Sequence, residues 1–177
     1  MKKIALILIV LLLFSMPECV SASSSKIIVD KAYHLLYVEN NSAFESVIPV
    51  CIGGQGENET PSGKYTIVSI VNNPVWYFEG KTYAPYSTDK ENGLGVVWMG
   101  ISLPSYGLHG TNEPFSIGGN FSHGCVRMEN TDVKRLSNLS FVGENVEIKD
   151  GANDSIAKHL TSINVLYCIT NVLKGSK

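Results

Sequence analysis

Tyr106-Gly107-Leu108-His109-Gly110-Thr111-Asn112-Glu113-Pro114-Phe115-Ser116-Ile117-Gly118-Gly119-Asn120-Phe121-Ser122-His123-Gly124-Cys125-Val126-Arg127-Met128 places two of the chain's four histidines and one of its four cysteines in one glycine-studded window. A thiol is a strong nucleophile at neutral pH only as the thiolate, and a nearby imidazole supplies that activation. Glycines beside both groups let the backbone approach a substrate closely. A packing cysteine is the ordinary alternative. It fits poorly here, because Cys125 follows His123-Gly124, precedes an arginine-bearing segment and sits in a long polar loop. The stretch therefore reads as a cysteine nucleophile with a histidine base. A zinc site of His109, His123 and Cys125 competes, but the spacing is not that of common zinc modules and no neighbouring carboxylate is clearly recruited.

Strands are expected on both sides of this window. Lys26–Asp30 and Tyr33–Val38 read as two strands around a tight turn, Glu45–Ile52 as a third and Lys64–Val71 as a fourth, all rich in β-branched and aromatic residues. Val96–Ile101 returns to strand character just before His109. Short strands broken by Gly and Pro argue for a sandwich or barrel rather than βαβ units. Residues 72–93 are aromatic and irregular, and fit either a hairpin capping a sheet edge or a wall over the active site. After the window, Asn130 is a candidate N-cap for a short helix with Val133, Leu136 and Leu139 on one face, followed by a strand at Val146–Lys149. From Asn153 onward, Ile156, Leu160, Ile163 and Tyr167 recur at helical spacing, which predicts a C-terminal helical extension over 153–177.

The 177 residues suit one domain, and the net charge of −2 is made of interspersed signs. No basic patch points to nucleic acid. Lys2-Lys3, the eleven-residue apolar run Ile4–Phe14 and Val20-Ser21-Ala22 read as a signal peptide over 1–22, cleaved after Ala22 or retained as an N-terminal anchor; either way an exported, envelope-associated protein is expected. Cys19 lacks the small residues that lipidation needs upstream of it. Cys51, in an apolar strand-like run, and Cys168, in the tail, read as packing residues, and nothing favours a bridge between them.

The order His109, then Ser122-His123-Gly124-Cys125-Val126-Arg127 resembles the signature of the L,D-transpeptidase catalytic domain family (YkuD-type). Thr60-Pro61-Ser62-Gly63-Lys64-Tyr65, Asn92-Gly93-Leu94-Gly95 and Trp98-Met99-Gly100 match it as well. The resemblance spans about Lys26 to Lys149, close to a domain at 26–150. It implies a mainly β fold: a sandwich with a mixed sheet and one short helix after the motif, here with the added C-terminal helix.

The resemblance also implies roles. Cys125 is the nucleophile, and His109 takes its proton and returns it to the leaving amine. A carbonyl just after that histidine, at Gly110 or its neighbour, orients the ring. His123, two residues before Cys125, shares its face if the segment is extended, as a backup base or a structural residue. The Gly124 and Cys125 N–H groups are the candidate oxyanion donors. Arg127 either binds a substrate carboxylate with its planar fork or pairs with Glu129 or Glu113. The Ser122 hydroxyl positions the loop. The implied reaction is acyl transfer on peptidoglycan stem peptides, with D-alanine leaving and an amine accepting. Water as acceptor gives an L,D-carboxypeptidase. No cofactor is needed for thiol acyl transfer, and a covalent carbapenem adduct is expected. A non-catalytic peptidoglycan-binding module and an exported cysteine peptidase acting on proteins are the competing classes.

Overall fold

The computed structural model describes residues 25–40 and 43–151. The expected signal peptide and C-terminal helix, with Cys168, lie outside these residues. β1 (Ser25–Asp30) and β2 (Leu35–Asn40) form a hairpin, and β3 (Ala43–Pro49) adds antiparallel to β2 with a bulge between Val38 and Glu39. Further along come β4 (Gly63–Asn72), the short β5 (Trp76–Phe78) and β6 (Lys81–Tyr83), β7 (Val97–Ile101), β8 (Gly107–His109) and β9 (Val126–Arg127). One helix, α1 (Asn130–Leu139), then leads into β10 (Asn145–Lys149). The fold is mainly β, as expected. Eight strands make one mixed sheet in the order β3-β2-β1-β10-β4-β7-β8-β9, with β1·β10 and β8·β9 parallel, and β5-β6 stand apart as a two-stranded ribbon.

Alternation along each strand sends one set of side chains inward. Ile27 and Val29 of β1, Leu36 and Val38 of β2, Met99 of β7, Leu108 of β8 and Val126 of β9 belong to a single buried cluster with Val146 and Ile148 of β10. Strands from opposite ends of the sheet share one core because the sheet curls. Its two ends also meet through the segment that follows β3. Cys51 exchanges both backbone hydrogen bonds with Arg127 at 2.8 Å, and Ser122 N–H donates to the Ile52 carbonyl at 3.1 Å.

The helix differs from expectation at both ends. Glu129, not Asn130, holds the cap position, and no side chain caps it. The Asn130 amide instead accepts from the Val96 and Thr111 N–H groups and donates to the Thr111 carbonyl. Those three bonds to tertiary neighbours outweigh the one that a local cap supplies. Val133 and Leu136 are fully buried, but Leu139 is 58% exposed, since the helix ends there and its last turn leaves the sheet. Leu136→Ala is expected to cost about 2–5 kcal/mol and Leu139→Ala well under 1 kcal/mol, read as the shift in urea unfolding.

Candidate active site

The floor of the site follows from strand register. β8 and β9 pair with Leu108 opposite Val126 and His109 opposite Arg127. Leu108 and Val126 enter the core, so His109 and Arg127 share the other face, with Cys125 two residues before Arg127. β7 brings Trp98 opposite His109, and β4 brings Val71 opposite Trp98. The Trp98 and His109 rings lie 5.7 Å apart. All five side chains line one cleft of about 570 Å³.

The aromatic stretch 72–93 supplies the wall, and it is also a hairpin, so the two readings of it describe one element. Glu79 and Gly80 both take positive φ (48° and 75°), the geometry of a tight two-residue turn between β5 and β6. Trp76 stacks between Phe78 and Tyr83, with centroids 4.8 Å away on each side, and Phe78 packs on His123 at 5.4 Å. Asn92, fully buried, clips the base of the ribbon. Its amide donates to the Pro74 and Ala84 carbonyls at 2.9 Å each and accepts from Leu94 N–H.

The loop carrying Cys125 is held by hydroxyls. Ser122 Oγ donates to the Cys125 carbonyl at 2.5 Å and accepts from Gly124 N–H at 3.1 Å. The Gly124 amide, expected as an oxyanion donor, is thus turned into the loop, and the Cys125 N–H is left as the candidate. Gly124 has φ +109°, and a Cβ there would lie 2.5 Å from the Tyr106 ring. That left-handed residue breaks the extended path between His123 and Cys125. His123 is exposed at the rim against Phe78, and it lines the same cleft as His109 and Cys125. Beneath the loop, buried Thr60 accepts from Gly53 N–H at 2.7 Å and donates to the Gly124 carbonyl at 2.9 Å. Lys31 Nζ holds the Thr60 carbonyl at 2.8 Å and pairs with Glu59 and Asp150. Thr60 and Asn92 appeared in the sequence reading only as members of motifs, and Asn130 only as a helix cap. Their signal was a polar side chain inside, or just after, an ordered motif.

The electrostatics favour neutral partners. His109 is buried, and its Nδ1 lies 2.7 Å from the Gly110 carbonyl, which makes Nδ1 the protonated nitrogen and leaves Nε2 as acceptor. Burial lowers the imidazole to about 4; the Gly110 carbonyl opposes this and the Arg127 charge adds to it. Burial also raises the Cys125 thiol above its ordinary range, only partly countered by the Gly107 N–H and by Arg127. At rest the thiol donates to the Ser105 carbonyl at 3.6 Å. Ser105 itself takes a left-handed φ of 69°, uncommon for a residue with a side chain. Arg127 pairs through Nη1 with Glu113 at 2.7 Å, one of the two partners expected for it. Cys51 and Cys125 are both free thiols, and Cys51 is fully buried. Among the described residues no group of three His, Cys, Asp or Glu side chains is placed to hold a metal.

A mainly β domain with a histidine on one strand and a cysteine just before the neighbouring parallel strand defines a class, and the comparisons agree on which. The YkuD L,D-transpeptidase catalytic domain model matches residues 24–148. The chain belongs to that family. It is 34% identical over 129 residues to YqjB of Bacillus subtilis, a protein named as an L,D-transpeptidase, covering 70% of each chain. It is 32% identical over 108 residues to YkuD of the same organism, covering 61% of this chain and 56% of that one. Against ErfK/SrfK of Salmonella typhimurium the identity is 35% over 130 residues, and the match covers 66% of this chain but only 41% of the relative. In fold it resembles an L,D-transpeptidase from Mycobacterium tuberculosis, with a TM-score of 0.59 and 19% identity over 72% of this chain and 58% of that one.

Thr60→Val keeps the shape but strips the hydroxyl from two buried backbone groups. It is expected to cost about 1–3 kcal/mol in urea unfolding, with Thr60→Ser recovering most of the loss.

Proposed function

We propose that this chain catalyses peptidoglycan cross-linking, the activity that its family and fold support in general, by cysteine acyl transfer from a tetrapeptide stem to an amine. The observation that carries the reading is His109, oriented through Nδ1 by the Gly110 carbonyl, sharing one cleft with Cys125. Cys125 Sγ attacks the carbonyl of the third stem residue while its proton passes to His109 Nε2. The tetrahedral oxyanion is met by the Cys125 N–H. The C–N bond breaks, His109 returns the proton to the leaving D-alanine nitrogen, and a thioester remains. An amine of a second stem then attacks the thioester, gives its proton to His109, and regenerates the thiol.

The resting pair in this scheme is neutral. The imidazole acts as a base during attack rather than holding a preformed thiolate. His123, on the rim against Phe78, serves to seat the aromatic wall and is not the base. The substrate places the reaction in the cell envelope, which fits the apolar leader read in the sequence. Two solved relatives are described as carrying a faropenem-derived adduct and as a complex with imipenem. Cys125 is the group that a β-lactam carbonyl acylates in the present chain.

Intact-mass analysis with a disaccharide-tetrapeptide tests the reading. Wild type is expected to release D-alanine and form the cross-linked dimer, and Cys125→Ala neither. D-alanine release without dimer indicates the carboxypeptidase, and an untouched tetrapeptide refutes the donor chemistry. The pH dependence carries a second expectation. A base must be neutral to accept a proton, so the acid limb of kcat/KM is expected near pH 4 rather than near 6.5. In the absence of substrate, alkylation of Cys125 by iodoacetamide at pH 7 is expected to be slower than that of an ordinary exposed cysteine, because burial raises its thiol.

A further inference from the structure

We propose that the Glu113 carboxylate is a resting-state placeholder for the free carboxylate of the donor's leaving residue, which displaces it from Arg127. The inference rests on the acyl-transfer reading above and adds the feature by which the site recognises its leaving group. Arg127 is the one permanently charged side chain among the residues lining the cleft. It stands two residues beyond Cys125, on the strand that begins immediately after the thiol, about 6.6 Å along an extended chain. A carboxylate on the leaving residue lies one residue beyond the attacked carbonyl, about 3.6 Å further on, within reach of the Arg127 side chain that lines the same cleft as the thiol.

The ion pair that occupies Arg127 is asymmetric. The Arg127 side chain is 15% exposed and that of Glu113 62%. An exposed carboxylate returns to water at small cost, whereas a mostly buried guanidinium needs an anion to replace the one it loses. The contact is also single, Nη1 to Oε2, so the planar fork is not used in the two-bond mode that it offers to a carboxylate.

The Glu113 backbone is fixed without help from its side chain. Its N–H donates to Thr111 Oγ1 at 2.9 Å, and its carbonyl accepts from the Ser116 N–H and hydroxyl at 3.0 and 2.7 Å. The side chain can therefore swing aside while the loop stays put. The Arg127 side chain, mostly buried on a strand that Cys51 holds by both backbone groups, has less room to follow it.

The test is calorimetric binding to the full chain carrying Cys125→Ala, which prevents turnover, with and without Glu113→Gln. The ligands are the disaccharide-tetrapeptide ending in a free D-alanine carboxylate and the same compound as its C-terminal amide. Glu113→Gln is expected to tighten the free acid about two- to fivefold and to leave the amide unchanged. Arg127→Gln is expected to abolish the preference for acid over amide. An equal change for both ligands makes Glu113 a structural brace and overturns the proposal, as does weaker binding or no change. If neither ligand binds before Glu113 is altered, the acyl-transfer reading fails first and the placeholder falls with it.

Discussion

The approach of two backbone segments, at Gly53 and Gly124, sets the geometry of everything near the thiol. A Cβ on Gly53 would sit 2.8 Å from the Gly124 Cα and 1.9 Å from the Asn58 carbonyl oxygen, so neither chain tolerates a side chain at this crossing. The contact brings the segment after β3 against the loop before β9, the two ends of an eight-stranded sheet. Thr60 satisfies the polar groups trapped there, and Lys31 fixes Thr60 from below. Sheet closure and placement of the Cys125 loop are thus one structural event. Loosening the crossing frees both.

The cleft built on that crossing holds its reactive pair uncharged. Desolvation disfavours imidazolium and thiolate alike, and the Arg127 charge pulls both pKa values downward, so it favours the thiolate while disfavouring the imidazolium. Burial is the larger influence on each group, and a neutral pair is the result. What the protein supplies is orientation: an imidazole with one defined tautomer, a thiol on the loop just before the next strand, and an aromatic wall beside them. In the proposed acyl transfer, electrostatic work is left to the moment when charge develops on the substrate.

Much of this was legible beforehand. Runs of β-branched and aromatic residues at Ile27–Val29, Leu36–Val38 and Val97–Ile101 marked the strands, because such side chains fit a pleated, packed surface whatever it pairs with. Cys125 and His109 stood out because their residue types and glycine neighbours have few structural uses together. Long-range pairing was not legible. Nothing local in Cys51 announces that it pairs with Arg127, and nothing in Asn130 says that its amide serves Thr111 rather than the helix end. Nor does anything local in His123 announce its contact with Phe78 of the aromatic ribbon. Gly124 seemed a natural oxyanion donor for its backbone freedom. That same freedom turns its amide toward Ser122.

The aromatic hairpin carries an optical consequence. The chain has two tryptophans in all, Trp76 and Trp98, and both line the cleft, one in the wall and one on the floor. Native tryptophan emission therefore arises from the walls of the cleft alone. An occupant that excludes water from the indoles, or a shift of the ribbon relative to the floor, changes that emission with no background from elsewhere in the protein. The cleft comes with its own built-in spectroscopic label.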